Sequence, residues 1–326
     1  MSRNAHQLEE KHIFAGNKPA SFDERDYTFA SPEVAKLLDE AGITPPSVGQ
    51  SKRRVPVNAR LNKAGTSVKP LPARVDLRKW CPEPVMQGNF DTCSVHVVAE
   101  MVEYFERRAF GVSARPSRRF LFRAAKHLSG TATGEKELQG VYIRQAIGAL
   151  KLLGAPHEKY FPYPDVTAPA AADELKADPS AFCYALAANH KAVTFYRLDP
   201  RDASGKLTIR PAQLLHFMKE HLAAKIPMSL EFPLYADAVH GSLKTGFISN
   251  PSRKDKPVGS HSIVVAGYDD NKFGGALRIL NSWGTTWGRE GFGWLPYGYV
   301  LKNRASDLWT LLKYEWTQTG KFGFLT

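Results

Sequence analysis

Cysteine is scarce in this chain of 326 residues, which contains three copies, Cys81, Cys93 and Cys183. Three thiols can form one disulfide bond at most, and that bond would leave one thiol unpaired, so a disulfide framework is excluded. Such a low count is typical of a reducing compartment, where a free thiol is either a small packing group or a reactive one.

Long apolar runs are also missing. No stretch of about 18 apolar residues occurs, so the sequence predicts no membrane span. The first ten residues contain charged side chains but neither an apolar core nor a small-residue cleavage site, which excludes an ordinary secretory signal peptide. We therefore expect a cytoplasmic protein, or one exported by a route that needs no such signal.

Acidic residues are outnumbered, with 32 Asp and Glu against 44 Lys and Arg, for a formal net charge of +12. A basic excess can indicate a nucleic acid, an anionic membrane surface or an acidic substrate as the partner. Here the basic residues are scattered, and no helix-turn-helix, zinc-finger or RNP pattern accompanies them. We interpret the charge as a solvated basic surface and expect no nucleic-acid partner.

The N-terminal part of the chain has the composition of an appendage. Residues 45–70 contain six basic residues and no acidic one, together with four prolines and two glycines, which predicts a linker or extended arm. Before it, Ser31 as N-cap and Pro32 in the first position predict a short helix that ends near Ala41. We expect residues 1–70 to form an arm and residues 71–326 to form the main domain.

The main domain changes from helical to strand patterns along the chain. Apolar residues recur at helical spacing from Cys93 to Gly111. Further helices are predicted at 117–127, 141–153 and 211–225. Strands are predicted at 226–232, 261–268, 276–282, 293–296 and 308–314. This order predicts an α+β protein with two lobes, a helical lobe over about 85–195 and a β lobe over about 196–326.

Cys93 lies in the first turn of its predicted helix. Unpaired N–H groups and the helix dipole favour a thiolate there. Six residues upstream, Gln87 precedes Gly88 in a stretch that must turn sharply to enter the helix. A side-chain amide in that stretch can donate to an oxyanion beside the backbone N–H of Cys93.

His261 opens an apolar strand, and Asn281 ends the next one. Two neighbouring antiparallel strands would bring the two side chains close enough for the amide oxygen to accept a hydrogen bond from the imidazole. Each residue alone has a structural interpretation, as a histidine at a strand end or an asparagine in a turn. Their occurrence together with Cys93 and Gln87 favours nucleophilic catalysis, because all four chemical roles are filled.

Several segments, in order along the chain, resemble the papain-like (C1) cysteine peptidases. They are Val75-Asp-Leu-Arg, Met86-Gln-Gly-Asn-Phe-Asp-Thr-Cys93, Gly259-Ser-His261 and Asn281-Ser-Trp-Gly-Thr-Thr-Trp-Gly-Arg-Glu-Gly-Phe-Gly. Two others, Ser21-Phe-Asp-Glu-Arg-Asp-Tyr and Gly293-Trp-Leu-Pro-Tyr, are similar to the prokaryotic-type branch. The resemblance implies a papain-like fold in which a helical lobe and an antiparallel β-barrel-like lobe enclose the active-site cleft.

The resemblance also implies a role for each candidate residue. Cys93 is then the nucleophile, His261 the general base and acid, Asn281 the orienting amide, Gln87 the oxyanion donor and Trp283 the ring that shields the histidine. The residues expected to border the substrate cleft are Ser260, Gly140, Val141 and Tyr142. The implied activity is that of a cysteine endopeptidase, which cleaves protein or peptide substrates through a thioester acyl-enzyme and needs no cofactor or metal.

The segment before the nucleophile departs from the family signature C-G-[SA]-C-[WY]. Phe90 replaces the first cysteine, Asp91 the glycine, Thr92 the small residue and Ser94 the aromatic one. The missing cysteine agrees with the low cysteine count. Asp91 would raise the pKa of the Cys93 thiol if the two side chains face each other.

Other functions stay open at this point. Cys–His–Asn chemistry serves any acyl transfer, so the chain could be a papain-fold amidase, transpeptidase or effector that acts on a non-peptide amide. It could also be a catalytically dead, peptide-binding pseudoenzyme. His96 shares a helix face with Cys93 and could form half of a zinc site, but Cys81 and Cys183 have no partners at ligand spacing. Within a peptidase, the N-terminal arm, residues 1–70, is a candidate pro-segment that could occlude the cleft and inhibit the enzyme.

Overall fold

The computed structural model describes residue 23 and residues 26–46, 70–188 and 194–312. Most of the predicted basic linker, residues 47–69, therefore lies outside the described residues. In the described part, helices follow one another from residue 93 to residue 187, and strands alternate with helices from residue 194 onwards. This is the predicted change from a helical to a strand pattern.

The described helices are α1 (Pro32–Glu40), α2 (Cys93–Phe110), α3 (Arg118–Leu128), α4 (Ile143–Leu153), α5 (Ala171–Lys176), α6 (Ala181–Ala187), α7 (Pro211–Ala223), α8 (Ala236–Thr245) and α9 (Gly298–Leu301). The predicted helices correspond to α1, α2, α3, α4 and α7 and are confirmed. The sequence did not predict α5, α6, α8 and α9. Three of these have only 4 to 7 residues, too few for a helical period to repeat.

The central helix of the molecule is α2, with 18 residues, most of them buried. It contacts α3 and α4 on one side and strands of the sheet on the other. It ends because Gly111 adopts a positive φ of 79°, which places a left-handed residue after the last helical turn. Its other end, which begins at Cys93, points to the junction between the helices and the sheet.

Among the described residues, five strands form an antiparallel sheet: β1 (Arg74–Asp76), β3 (Met228–Leu234), β4 (Gly259–Asp269), β5 (Ala276–Leu280) and β6 (Phe292–Pro296). A second, two-stranded sheet pairs β2 (Thr194–Arg197) with β7 (Trp309–Leu312). The predicted strands are confirmed, although the last residues predicted for β7 lie outside the described range. The sequence did not predict β1 and β2, which are short.

The long strand β4 organises the main sheet. Along one edge it pairs first with β3 and then with β1, and along the other edge with β5. A register shift between Val265 and Gly267 marks a bulge on the β5 side. Because β4 begins at Gly259, His261 lies near the start of the strand, where Phe232 of β3 is its direct partner.

The described part of the predicted N-terminal arm packs on the rest of the chain. Phe29 contacts Phe217 of α7 edge to face, with 5.5 Å between ring centroids. Leu38 of α1 is fully buried. The Asp26 carboxylate accepts a hydrogen bond of 2.7 Å from Nε of Arg144, in the first turn of α4. This part of the arm thus contributes to the core, whereas the boundary between arm and main domain at residue 70 stays a prediction.

Candidate active site

Cys93 is the first residue of α2 and follows the N-cap residue Thr92. Its backbone N–H has no acceptor inside the helix, and the positive end of the helix dipole lies at its side chain. The thiol is buried where α2 contacts β4. The prediction that Cys93 opens a helix is confirmed.

The surroundings of the Cys93 thiol act on it in opposite directions. Burial raises the pKa of the thiol to about 12. The backbone N–H and the hydroxyl of Ser262, in β4, lower the pKa of the thiol, whereas the carboxyls of Glu231 and Asp91 raise it. The effect of Asp91 has the predicted sign. The thiol is therefore neutral until a base takes its proton.

His261 and Asn281 are brought together by the pairing of β4 with β5. Nε2 of His261 lies 2.7 Å from Oδ1 of Asn281. The backbone N–H of Asn281 also donates to Gly291 O at 3.1 Å, which fixes the residue after the end of β5. Gly291 has a φ of 75°, and a Cβ there would lie 2.3 Å from Pro84. A glycine is required at this turn, so the glycine-rich block that follows Trp283 helps to position Asn281.

The hydrogen bonds of Asn281 determine which ring nitrogen of His261 carries the proton. Oδ1 of Asn281 also accepts from the backbone N–H of Ser282 at 2.9 Å, so this atom is an acceptor in both contacts. His261 must then donate through Nε2, which leaves Nδ1 with a free electron pair in the neutral ring. Burial lowers the pKa of His261 to about 4, against the opposing effect of the Asn281 hydrogen bond. The ring is thus neutral and able to accept a proton at Nδ1.

Trp283 covers the histidine. Its ring stacks on His261 with 4.8 Å between centroids and 28° between planes, and Trp287 packs edge-on behind it. Trp283 is itself buried, with 3% of its surface exposed. The ring excludes water from one face of the imidazole, which agrees with the shielding role that the sequence predicts for it.

Gln87 lies on a loop that is attached to the sheet side of the site. Its backbone N–H donates to Ser282 O at 2.9 Å, and its Oε1 accepts from Ser282 Oγ at 2.5 Å. Nε2 donates one hydrogen to Phe90 O at 2.7 Å. An amide nitrogen has two hydrogens, so one remains for an oxyanion near Cys93. Tyr163 supports the same loop by donating to Gln87 O at 3.0 Å.

The predicted cleft residues lie on both sides of Cys93. Oγ of Ser94 donates to Val141 O at 2.5 Å, so the segment Gly140-Val141-Tyr142 lies against the start of α2. On the sheet side, Oγ of Ser260 donates to Oε1 of Glu231 at 2.9 Å. The structure thus brings both predicted cleft segments next to the candidate nucleophile and base.

His96 is a fully buried residue of α2. Its Nδ1 lies 2.9 Å from Thr92 O, one helical turn back, and its ring packs edge-on against Tyr163 at 4.8 Å. Burial lowers its pKa to about 3, so it is neutral. Among the described residues no three His, Cys, Asp or Glu side chains come together as metal ligands would.

Sequence reasoning missed three residues of the site. Ser262 lowers the pKa of the Cys93 thiol, Ser282 donates to Gln87, and the Glu231 carboxyl accepts from Ser260 and raises the pKa of the thiol. Ser262 and Ser282 are small residues beside stronger signals and carry no signature of their own. Glu231 does, because it is a lone acid inside the otherwise apolar segment that forms β3.

The sequence model described as papain family cysteine protease matches residues 135–305, more than half of the chain. The chain belongs to this family. The matched range includes His261 and Asn281 and begins after Gln87 and Cys93. The protein is accordingly a cysteine-type peptidase, and the sequence-based family assignment is confirmed. Its placement in the prokaryotic-type branch stays a prediction.

Known relatives agree with this assignment. An uncharacterised peptidase C1-like protein of Acanthamoeba polyphaga mimivirus is 25% identical over 244 residues, or 72% of this chain and 73% of the relative. Among solved structures, xylellain, a cysteine protease from Xylella fastidiosa, is 25% identical with a TM-score of 0.66, over 91% of this chain and 94% of that one. The procathepsin B S9 of Trypanosoma congolense shares the fold at 15% identity and a TM-score of 0.55, over 88% and 93% of the two chains.

The papain-like two-lobe fold predicted from the sequence is confirmed by these structures. Its helical lobe contains α2 to α6, its sheet lobe contains the main sheet, and the candidate site lies where α2 meets β4. In the described part of the chain, no helix has the length and apolar character that crossing a membrane requires. Proteins and peptides are the substrates expected of a peptidase of this family.

Proposed function

We propose that this papain-family peptidase is an endopeptidase in which Cys93 is the nucleophile, His261 the general base and acid, and Asn281 the residue that orients the base. The observation that carries the proposal is the 2.7 Å contact between Nε2 of His261 and Oδ1 of Asn281. It leaves Nδ1 as the proton acceptor, on a strand that packs against the helix whose first residue is Cys93.

In the first half of the reaction, Nδ1 of His261 takes the proton of the Cys93 thiol while the sulfur attacks the carbonyl carbon of the scissile peptide bond. Separating these charges inside a buried site is unfavourable for each ion alone. The two ions attract each other, however, and the helix dipole and the polar groups of Ser262 favour the negative sulfur. Negative charge then develops on the carbonyl oxygen, where the Cys93 N–H and Nε2 of Gln87 donate.

The tetrahedral intermediate collapses to a thioester when the peptide C–N bond breaks. His261 gives its proton to the leaving amine nitrogen, which departs as the new N-terminus. A water molecule then attacks the thioester carbonyl and loses a proton to His261. The second collapse breaks the C–S bond, and the sulfur takes the proton back from His261 as the new carboxyl product leaves.

Labelling and product analysis test these assignments together. A cysteine-directed epoxide should label Cys93 in the wild type and fail to label Cys93→Ala. Hydrolysis of a denatured protein should give internal cuts, and Cys93→Ala and His261→Ala should each lower kcat by at least about 10⁴-fold, because the two residues act as a unit. Cys183→Ala is the matched control, since Cys183 is also a buried free thiol but lies in α6.

The outcomes separate this proposal from its alternatives. Activity that persists in folded Cys93→Ala contradicts the proposed nucleophile. Labelling without cleavage of any protein or peptide points to a binding protein, and release of a small amine from non-peptide amides alone points to an amidase. Circular dichroism and the melting temperature of each variant establish that it is folded.

We further propose that the N-terminal arm inhibits the peptidase through its basic segment, residues 47–69, which lies outside the described residues. Support comes from the resemblance to procathepsin B, a protein named as a proform, and from the composition of the segment. The arm cannot simply be deleted, because Leu38 and Asp26 are anchored in the fold. A site-specific protease sequence inserted at residue 58 therefore tests the idea while it keeps residues 26–46 in place.

Cutting at the inserted site should raise turnover of a short fluorogenic peptide relative to the uncut protein. The same sequence inserted at residue 254, in an exposed loop, is the control and should leave turnover unchanged on cutting. Equal turnover before and after cutting at residue 58 would show that the basic segment does not inhibit.

A further inference from the structure

Tyr163 lies in the segment between α4 and α5 and reaches the candidate site from the side of the helical lobe. Its hydroxyl donates to the carbonyl oxygen of Gln87 at 3.0 Å and lies 2.7 Å from Oγ1 of Thr92. Thr92 directly precedes Cys93 in the chain. One phenol oxygen is therefore hydrogen-bonded to both stretches of chain that carry the proposed oxyanion donors.

The hydrogens in these two contacts can be assigned. A carbonyl oxygen only accepts, so the single hydrogen of the phenol is used on Gln87. Thr92 must then donate its own hydroxyl hydrogen to the Tyr163 oxygen. Burial raises the pKa of Tyr163, so the phenol keeps its proton. The donors thus form a chain with one direction, from Thr92 through Tyr163 to Gln87.

This use of the Thr92 hydroxyl explains an unusual helix start. Thr92 is the N-cap residue of α2, yet its side chain makes no capping hydrogen bond. A threonine at this position usually accepts from a backbone N–H of the first turn and thereby stabilises the helix. Because the hydroxyl is directed to Tyr163 instead, the positive end of α2 at Cys93 is not neutralised by a capping oxygen. That end therefore stays available to negative charge that develops beside it.

The segment that carries Tyr163 is itself fixed in place. Its backbone N–H donates to Oε1 of Glu158 at 2.7 Å, and the same carboxyl accepts from the backbone N–H of Arg118, in α3, at 3.0 Å. A Cβ at Gly88 would lie 2.5 Å from Cβ of Val166, so the segment lies directly against the loop that precedes α2. The Tyr163 hydroxyl is thus held by a part of the helical lobe that can define a position.

Gln87 is held from two opposite sides. Ser282 accepts from its backbone N–H and donates to its side chain, which positions Gln87 relative to the sheet. Tyr163 positions it relative to the start of α2. Oxyanion donors act only when they lie about 2.7–3.1 Å from the developing charge, so the separation between two donors on different elements must be fixed.

We propose that Tyr163 is a positioning residue whose hydroxyl sets the separation between Nε2 of Gln87 and the backbone N–H of Cys93, and so holds both donors where the oxyanion requires them. This inference rests on the proposed peptidase function. Tyr163 does not touch the substrate and acts through the two donors.

Tyr163→Phe tests the proposal because it removes the hydroxyl alone. The donors would lose their common support, so kcat for the short fluorogenic peptide should fall about 10-fold, less than the roughly 10²–10³-fold expected for loss of a donor itself. KM should stay within about twofold, since the oxyanion forms only in the transition state. The rate at which iodoacetamide alkylates Cys93 should also stay within about twofold, because the sulfur attacks a methylene carbon and no oxyanion forms.

The matched control is Tyr104→Phe. Tyr104 is a buried tyrosine of α2 whose hydroxyl also donates to a backbone carbonyl, that of Lys225, at 2.9 Å. It lies about 16 Å along the helix axis from Cys93. This variant should keep the wild-type kcat. Circular dichroism and melting temperatures establish that each variant is folded.

The other end of the donor chain gives a second test that does not depend on the folding of Tyr163→Phe. Thr92→Val removes the donor to Tyr163 at nearly the same side-chain size, so kcat should fall by about 3- to 10-fold. Thr92→Ser restores the hydroxyl and should recover most of this loss. In the double variant of Tyr163→Phe and Thr92→Val, kcat should be no lower than in Tyr163→Phe alone, because both substitutions break the same chain.

The failures can be told apart. If the wild type cleaves no peptide, the peptidase proposal fails and this one fails with it. If peptides are cleaved and folded Tyr163→Phe keeps the wild-type kcat, only the role of Tyr163 is overturned. Equal falls in kcat and in the alkylation rate would also overturn it, since the hydroxyl would then act on the thiol and its base. Additive losses in the double variant would show that Thr92 and Tyr163 act independently, which contradicts the shared chain.

Discussion

His261 and Asn281 lie on adjacent strands of the main sheet, whereas Gln87 and Cys93 lie on a loop and the helix that follows it. The first pair is positioned by the register of β4 and β5 and by the rings stacked on it. The second pair is positioned by the packing of α2 on β4 and by two hydrogen bonds between Gln87 and Ser282.

These two halves of the candidate site also differ in how closely their sequences follow the motifs of the family. The matched range begins at residue 135 and includes the histidine and asparagine blocks but not Cys93. Around the cysteine, Phe90 and Asp91 replace residues of the signature. The difference teaches that a paired strand tolerates few sequence changes, because a slip of one residue in its register moves every side chain to the other face of the sheet. A loop held at a few points by hydrogen bonds tolerates substitution.

The largest effect on kcat that we expect from this comparison concerns Gln87, in the half of the site formed by the loop and α2. Gln87→Ala removes one of two oxyanion donors, so kcat should fall by about 10²–10³-fold. KM should change little if the amide acts mainly on the transition state. Steady-state kinetics against the short fluorogenic peptide measures both constants. An unchanged kcat would mean that the free hydrogen of Nε2 does not point at the oxyanion.

The next effect concerns the pKa of His261, in the half of the site that the sheet strands β4 and β5 position. Trp283→Leu opens one face of the imidazole to water, so the pKa of His261, which burial lowers to about 4, should rise towards its ordinary value of 6.5. A protonated imidazole cannot accept the thiol proton, so the acid limb of the pH–kcat profile should move to higher pH.

Trp80→Leu is the control for this shift, because Trp80 packs on Tyr104 away from His261. Its profile should keep the wild-type acid limb. An acid limb that stays in place in Trp283→Leu would show that the stacked ring does not govern the ionisation of the histidine.

The smallest effect on kcat that we expect concerns the hydrogen bond between Ser282 and Gln87, which joins the two halves of the site. Ser282→Ala removes the hydroxyl that binds Oε1 of Gln87, and a single hydrogen bond is worth about 0.5–1.5 kcal/mol, so kcat should fall by about 2- to 10-fold. Ser229→Ala is the control, a buried serine that bonds to Asp307 O and Trp309 O. In the background of Gln87→Ala, the Ser282 substitution should have no further effect on kcat. Additive losses would show that Ser282 acts by another route.

The sequence predicted the candidate nucleophile, base and orienting amide because each belongs to a segment with its own local cause. A helix start is marked by the apolar period after Cys93, and the strand ends are marked by the turn residues around His261 and Asn281. The long helices and the sheet strands followed from the same periodicities. Short elements such as β1 and α9 could not be predicted, because too few residues are present for a period to repeat.

Tertiary structure alone decided which side chains complete the site and that the described part of the arm, residues 26–46, packs on the rest of the chain. Ser262 and Glu231 both act on the pKa of the Cys93 thiol, and they are neighbours because β3 and β4 pair in one register, a relation between positions about 30 residues apart in the chain that no local pattern contains. In the same way, Asp26 and Phe29 are part of the fold because Arg144 and Phe217 of α7 face them. Composition predicts an appendage there because the composition of a segment does not show which other parts of the fold will bury it.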